Sequence, residues 1–165
     1  MSEKTKTAKL IVFTITFIII GAVLNFAVHE LSHMLMLAIC KGSVEEISFG
    51  KDVFVGGFVE YNYVSTVALA SIFIPFIISF LISLFKSIYV SCFNLGFSLP
   101  IVLNVVLGFY AHFFIKDITV QNTYDLALAC NFMEQNFLIL LLSFAVLAIQ
   151  VWIMTESFRK IKDKI

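Results

Sequence analysis

Charged residues are scarce in this chain. Only 13% of its 165 residues are Asp, Glu, Lys or Arg, about half the share of an average soluble domain. The eleven basic and eleven acidic side chains cancel, and no basic block suits nucleic acid, so none is expected as a partner. Cysteine is sparse too. Cys40, Cys92 and Cys130 are scattered, odd in number and without a CxxC pair. That argues against a disulfide frame or a thiolate zinc knuckle. They read as small buried hydrophobes, although Cys40 shares a helix face with His33, seven residues earlier. With two prolines and seven glycines, long Pro/Gly linkers are absent.

What fills the chain instead is hydrocarbon. It is 61% hydrophobic, with a mean hydropathy of +1.02. This composition describes an integral membrane protein with no room for a separate soluble domain. Residues 1–9 are polar, with Lys4, Lys6 and Lys9, and Leu10–Val28 follows without a charge. The apolar part is longer than a signal-peptide core, and His29-Glu30 falls where cleavage would occur. The stretch therefore predicts an uncleaved transmembrane helix over about 10–40, with Gly42 as its C-terminal stop. Thirty-odd residues at 1.5 Å each give about 45–50 Å, more than a ~30 Å hydrocarbon core. The helix must tilt, or other protein must shield its last third. His29 lies about 29 Å along the axis from Leu10, well off the midplane.

Residues 44–63 change character. Apolar and charged positions interleave and glycines punctuate, which predicts a β-hairpin-like insert. Spans follow over 64–85 with Pro75, over 88–115 with Pro100, and over 137–154, separated by a polar segment, 116–136. The expected fold is mainly α: one polytopic membrane domain over 1–165, with four transmembrane helices and a small β-hairpin-like insert after the first. Placing both termini in the cytoplasm puts Lys4, Lys6, Lys9, Lys86, Arg159, Lys160, Lys162 and Lys164 on that side, against Lys41, Lys51 and Lys116. This positive-inside bias predicts a multi-pass protein of the cell membrane.

One stretch does not belong in a membrane. His29-Glu30-Leu31-Ser32-His33 sits inside the first apolar run. Ionisable groups there are expensive and mark function by default. On a helix, positions i and i+4 share a face, so His29 and His33 can reach one ion, and Glu30 is placed to take a proton from water beside it. The bland alternative is a pair of packed histidines that glue helices together. A catalytic zinc (Zn2+) needs a third protein ligand. Asp125 ranks first, where a polar stretch enters the expected start of the last long helix, although a helix cap is its ordinary role. Asp117, His112 and Glu134 remain open. Asn104 and Asn122 are candidate polar contacts to a substrate or oxyanion, with helix–helix bonding the plainer role for Asn104.

In these residues the chain resembles the site-2 protease family of intramembrane zinc metalloproteases. The likeness rests on His29-Glu30-Leu31-Ser32-His33, the β-like segment with Gly56-Gly57-Phe58-Val59, a following apolar span, and Asn122-Thr123-Tyr124-Asp125-Leu126. It implies that His29, His33 and Asp125 bind one zinc, that Glu30 is the base, and that 53–60 holds an extended strand of a membrane protein or peptide substrate. Ser32 stands where the family often has Gly. Other functions stay in view: an intramembrane metal-binding or transport protein, or a catalytically inactive membrane subunit.

Overall fold

In a computed structural model, residues 3–49, 53–133 and 136–163 are described. The element order is α1 (Glu3–Ile39), β1 (Ser43–Phe49), β2 (Val53–Phe58), a single 3-10 turn (Tyr61–Tyr63), α2 (Val64–Ser83), α3 (Ile88–Phe114), α4 (Ile118–Gln121), α5 (Asp125–Asn131) and α6 (Asn136–Lys162). Four of these helices are long and apolar enough to cross a membrane, and the strands form one small antiparallel sheet. The chain is a mainly-α membrane fold.

Two helix bounds differ from the sequence reading. The polar residues before Leu10 do not delay α1, which is already helical at Glu3. The polar tail after Met154 likewise continues α6 to Lys162. Polarity ends an apolar run, but Lys, Arg and Glu are good helix formers and carry the helix onward. The stop after α1 also differs. Lys41, not Gly42, takes the left-handed conformation, with φ 57°. The amide of Gly42 donates to Leu37 O at 2.8 Å and that of Lys41 to Ala38 O at 3.3 Å. This is the paired bonding of a Schellman cap, which leaves the glycine one place further on. A Cβ on Gly42 would lie 2.6 Å from Phe58 O, so the glycine serves the passing strand instead.

That strand belongs to the hairpin. Ser43 pairs with Phe58 and Phe49 with Val53, with one register shift between Val44 and Glu46. Leu37, 3% exposed, packs the hairpin onto the end of α1.

α1 and α3 touch through their backbones. A Cβ on Gly96 would meet Ile18 O at 1.9 Å, and one on Gly21 would meet Phe93 O at 2.1 Å. Without a hydrophobic drive between helices in lipid, such small-residue contacts supply close packing. From them two stripes run at helical i, i+4 spacing: Gly21, Asn25, His29 and His33 on α1, and Gly96, Pro100, Asn104 and Gly108 on α3.

The core lies among α2, α3, α5 and α6, around Phe97, Val105, Leu126, Ala129 and Cys130. α5 is its plug: Leu126, Ala127, Ala129 and Cys130 are all at most 1% exposed. It is separate from α6, so Asp125 opens a two-turn helix and not the last long one. A second buried group lies about 12 Å along α2 from Ser71. There the Ser79 hydroxyl donates to Asn94 Oδ1 at 3.0 Å and accepts from Gln150 Nε2 at 2.8 Å. Ser98 Oγ lies 2.9 Å away, and Asn94 Nδ2 donates to Ser79 O at 3.1 Å.

Candidate metal centre

α1 delivers its two imidazoles one turn apart, with ring centroids 5.0 Å apart and planes at 85°. The buried Ser32 hydroxyl donates back to Val28 O at 2.6 Å. The residue between the histidines is thus turned onto its own helix and adds no polar group to the cavity.

The Asp125 carboxylate meets both rings. His29 Nε2 lies 3.2 Å from Asp125 Oδ2 and His33 Nε2 lies 3.3 Å from Oδ1. Two further elements aim it. From α2, Ser71 Oγ donates to Asp125 Oδ2 at 2.8 Å; from α3, Asn104 Nδ2 donates to the same oxygen at 3.1 Å. Asn104 Nδ2 also lies 3.4 Å from His29 Nδ1. The His33 ring additionally meets the backbone carbonyl of Val67. Glu30 lines the same cavity, with Oε1 3.7 Å from His29 Nε2.

These donors fit a zinc ion. One ligand atom from each of His29, His33 and Asp125 lies within 4.8 Å of the other two. Zinc bonds of ~2.0–2.2 Å in a tetrahedron place ligand atoms about 3.4 Å apart, and each imidazole Nε2 approaches its own oxygen of the Asp125 carboxylate at a similar distance, 3.2 and 3.3 Å. Two nitrogens and one carboxylate oxygen are a catalytic donor set, with the fourth position left open. A ligated Nε2 puts the ring proton of His29 on Nδ1. Asn104 Nδ2 keeps its bond to Asp125 Oδ2 at 3.1 Å and only approaches His29 Nδ1, at 3.4 Å.

A cavity of ≈ 1010 Å³ opens beside these three residues, walled along α1 from Asn25 to Leu37 and capped by Gly57, Phe58 and Val59. Asn104 and Asn122 both line it. Asn122 is engaged elsewhere as well, since its Oδ1 accepts from Asn131 Nδ2 at 2.8 Å and closes the α4–α5 loop. Gly56 pairs with Glu46 one step back along β2, and Gly57 has no room for a side chain, with Ser43 O 2.3 Å from its would-be Cβ.

The other ligand candidates sit apart from the three. Asp117 is exposed and caps α4, accepting from Thr119 Oγ1 at 2.6 Å and Thr119 N at 2.9 Å. Those bonds hold its carboxyl below the usual carboxylate range. His112 is near the end of α3, two turns past Asn104, with its ring edge-on to Phe113. Cys40 is a half-buried thiol in the turn after α1, outside the three-residue group. Glu134 lies outside the described residues.

Two residues of the site were not anticipated. Ser71 is one of many serines in the apolar spans, and nothing in its spacing marks it. Asn25 had a signal: it is a lone amide in an apolar run, four residues before His29 and on the same face. No protein-family model, curated protein or solved structure matches this chain.

Proposed function

We propose that this chain is an intramembrane zinc metalloprotease, a multi-pass protein of the cell membrane that hydrolyses a peptide bond of a membrane-embedded substrate. One observation carries the reading. Two imidazoles from α1 and a carboxylate from α5 converge within 4.8 Å on the wall of a large cavity, with Glu30 beside them. Zinc held by His29, His33 and Asp125 supplies the Lewis acidity that activates water and polarises a peptide carbonyl.

The rest falls to the chain's own groups. Glu30 accepts a proton from the attacking water as its oxygen bonds to the carbonyl carbon. It then delivers that proton to the amine nitrogen as the C–N bond breaks. Ser71 and Asn104 hold Asp125 in place for both imidazoles, a supporting shell of the kind metal sites require. Within the described two-stranded sheet, β2 pairs with β1 alone. Its other edge suits addition of an extended substrate strand, entering past Gly57–Val59. The lysine and arginine distribution favours cytoplasmic termini, with the hairpin and α5 toward the opposite face.

The test uses purified protein and a panel of membrane peptides. Cleavage is expected, and it is expected to vanish in Glu30→Gln and on removal of zinc. Cleavage that persists in either case overturns the proposal. Zinc uptake into proteoliposomes without any cleavage transfers the site to transport.

A further inference from the structure

We infer that Asn25 is a substrate-binding residue whose amide donates a hydrogen bond to a peptide carbonyl about two residues from the bond that is cut; this rests on the protease reading. Asn25 is only 2% exposed, and its Nδ2 has no partner among the described residues. It nevertheless lines the cavity. A buried amide left without an acceptor is expensive. An occupant of the cavity relieves that cost if it brings an acceptor.

The position says which acceptor. The cavity follows α1 from Asn25 to Leu37, twelve residues or about 18 Å. An extended peptide rises about 3.4 Å per residue, so about five residues fit along that wall. At the hairpin end, β2 offers backbone groups to pair with. The Asn25 end is the opposite one, deeper in the apolar span Thr7–Ile39. A peptide unwound there has carbonyls that neither water nor its own helix satisfies. Asn25 is four residues before His29, about 6 Å along the helix, which equals about two steps of extended peptide. It is therefore too far along to bind the oxygen of the reacting carbonyl, and right for a neighbouring one.

The experiment measures binding as well as cutting. A fluorescent apolar peptide of about 20 residues with a central Gly-Gly pair is prepared with a single backbone ester at each position around that pair in turn. An ester carbonyl is a weaker acceptor than an amide carbonyl. Affinity is read by fluorescence anisotropy in detergent micelles, with empty micelles subtracted, on Glu30→Gln protein and on Glu30→Gln with Asn25→Leu. Asn25→Leu is expected to weaken binding of the all-amide peptide about three- to tenfold, the worth of one hydrogen bond. One ester position is expected to weaken binding to the Asn25 protein and to leave the Asn25→Leu protein unmoved, the coupling that marks a direct contact.

Equal ester profiles in the two proteins overturn the inference and make Asn25 a link between helices or a partner for water. Failure of Asn25-containing protein to bind the peptide overturns it as well. If Asn25→Leu does not fold, the ester scan on the Asn25 protein decides: no sensitive position means no bond. Cleavage by the protein with Glu30 intact is scored separately. Coupled binding without cleavage keeps Asn25 in its role and removes the protease.

Discussion

Two buried polar groups sit about 12 Å apart along α2, and they differ in charge and in the open volume beside them. Around Ser79, every member is neutral. Asn94, Ser98 and Gln150 converge on one hydroxyl, and all four residues are at most 1% exposed. Around Asp125, the members are ionisable, 13–18% exposed at the side chain, and face a cavity of ≈ 1010 Å³. The first group spends its donors inward, joins α2, α3 and α6, and leaves Gln150 Oε1 without a partner among the described residues. The second keeps three possible ligand atoms within 4.8 Å of one another and lies beside Asn25 Nδ2, which has no partner among the described residues. In a bilayer, polar residues alone do not mark a site. What marks one is polarity that the protein leaves incompletely satisfied next to open volume.

That contrast can be broken by mutation. The largest effect is expected in the ionisable group: Glu30→Gln should lower the cleavage rate by about 10²–10⁴-fold while zinc content, measured on the purified protein, stays unchanged. His33→Ala should remove the zinc itself, by the same metal analysis. Asn104→Leu is a milder change to that group. It loses the bond to Asp125 and the contact with His29, and zinc affinity by competition with a chelator should weaken about 10–100-fold. In the neutral group, Ser79→Ala strips Asn94 Oδ1 and Gln150 Nε2 of a partner. Stability in denaturant should drop by about 1–2 kcal/mol, with zinc content and cleavage kept. Equal loss of zinc there would erase the distinction between the two groups. The smallest change lies outside both. Lys41→Gly relieves a left-handed residue and should raise stability by about 1 kcal/mol, read as a shift in Tm.

The sequence carried the periodic and the local features well. Four apolar runs and an alternating insert were legible because lipid and strand pairing each impose a simple pattern on residue type. His29 and His33 were legible because helical spacing alone sets them on one face. Asp125 was a ranked guess among four, because its approach to the histidines depends on how α5 packs between α2 and α3, a long-range fact with no local pattern. Ser71 was invisible for the same reason. The helices α1 and α6 run past their apolar spans because Lys, Arg and Glu carry a helix onward, and after α1 it is Lys41 that takes the left-handed conformation while Gly42 is the crowded one.

The glycine contact between α1 and α3 has a mechanical consequence. α1 is one unbroken rod of 37 residues, and at Gly21 it rests against the α3 backbone. A tilt of α1 about that contact would act through a long arm. His33 lies twelve residues beyond it, about 18 Å down the arm. A pivot of about 5° there swings the imidazole by roughly 1.6 Å over that length. Such a swing exceeds the tolerance of ligand bonds ~2 Å long. Asp125 lies on α5, a separate element. The two imidazoles and the carboxylate that could hold a metal therefore come from separate elements, and the seating of Gly21 on Phe93 and Gly96 on Ile18 bears on how they register.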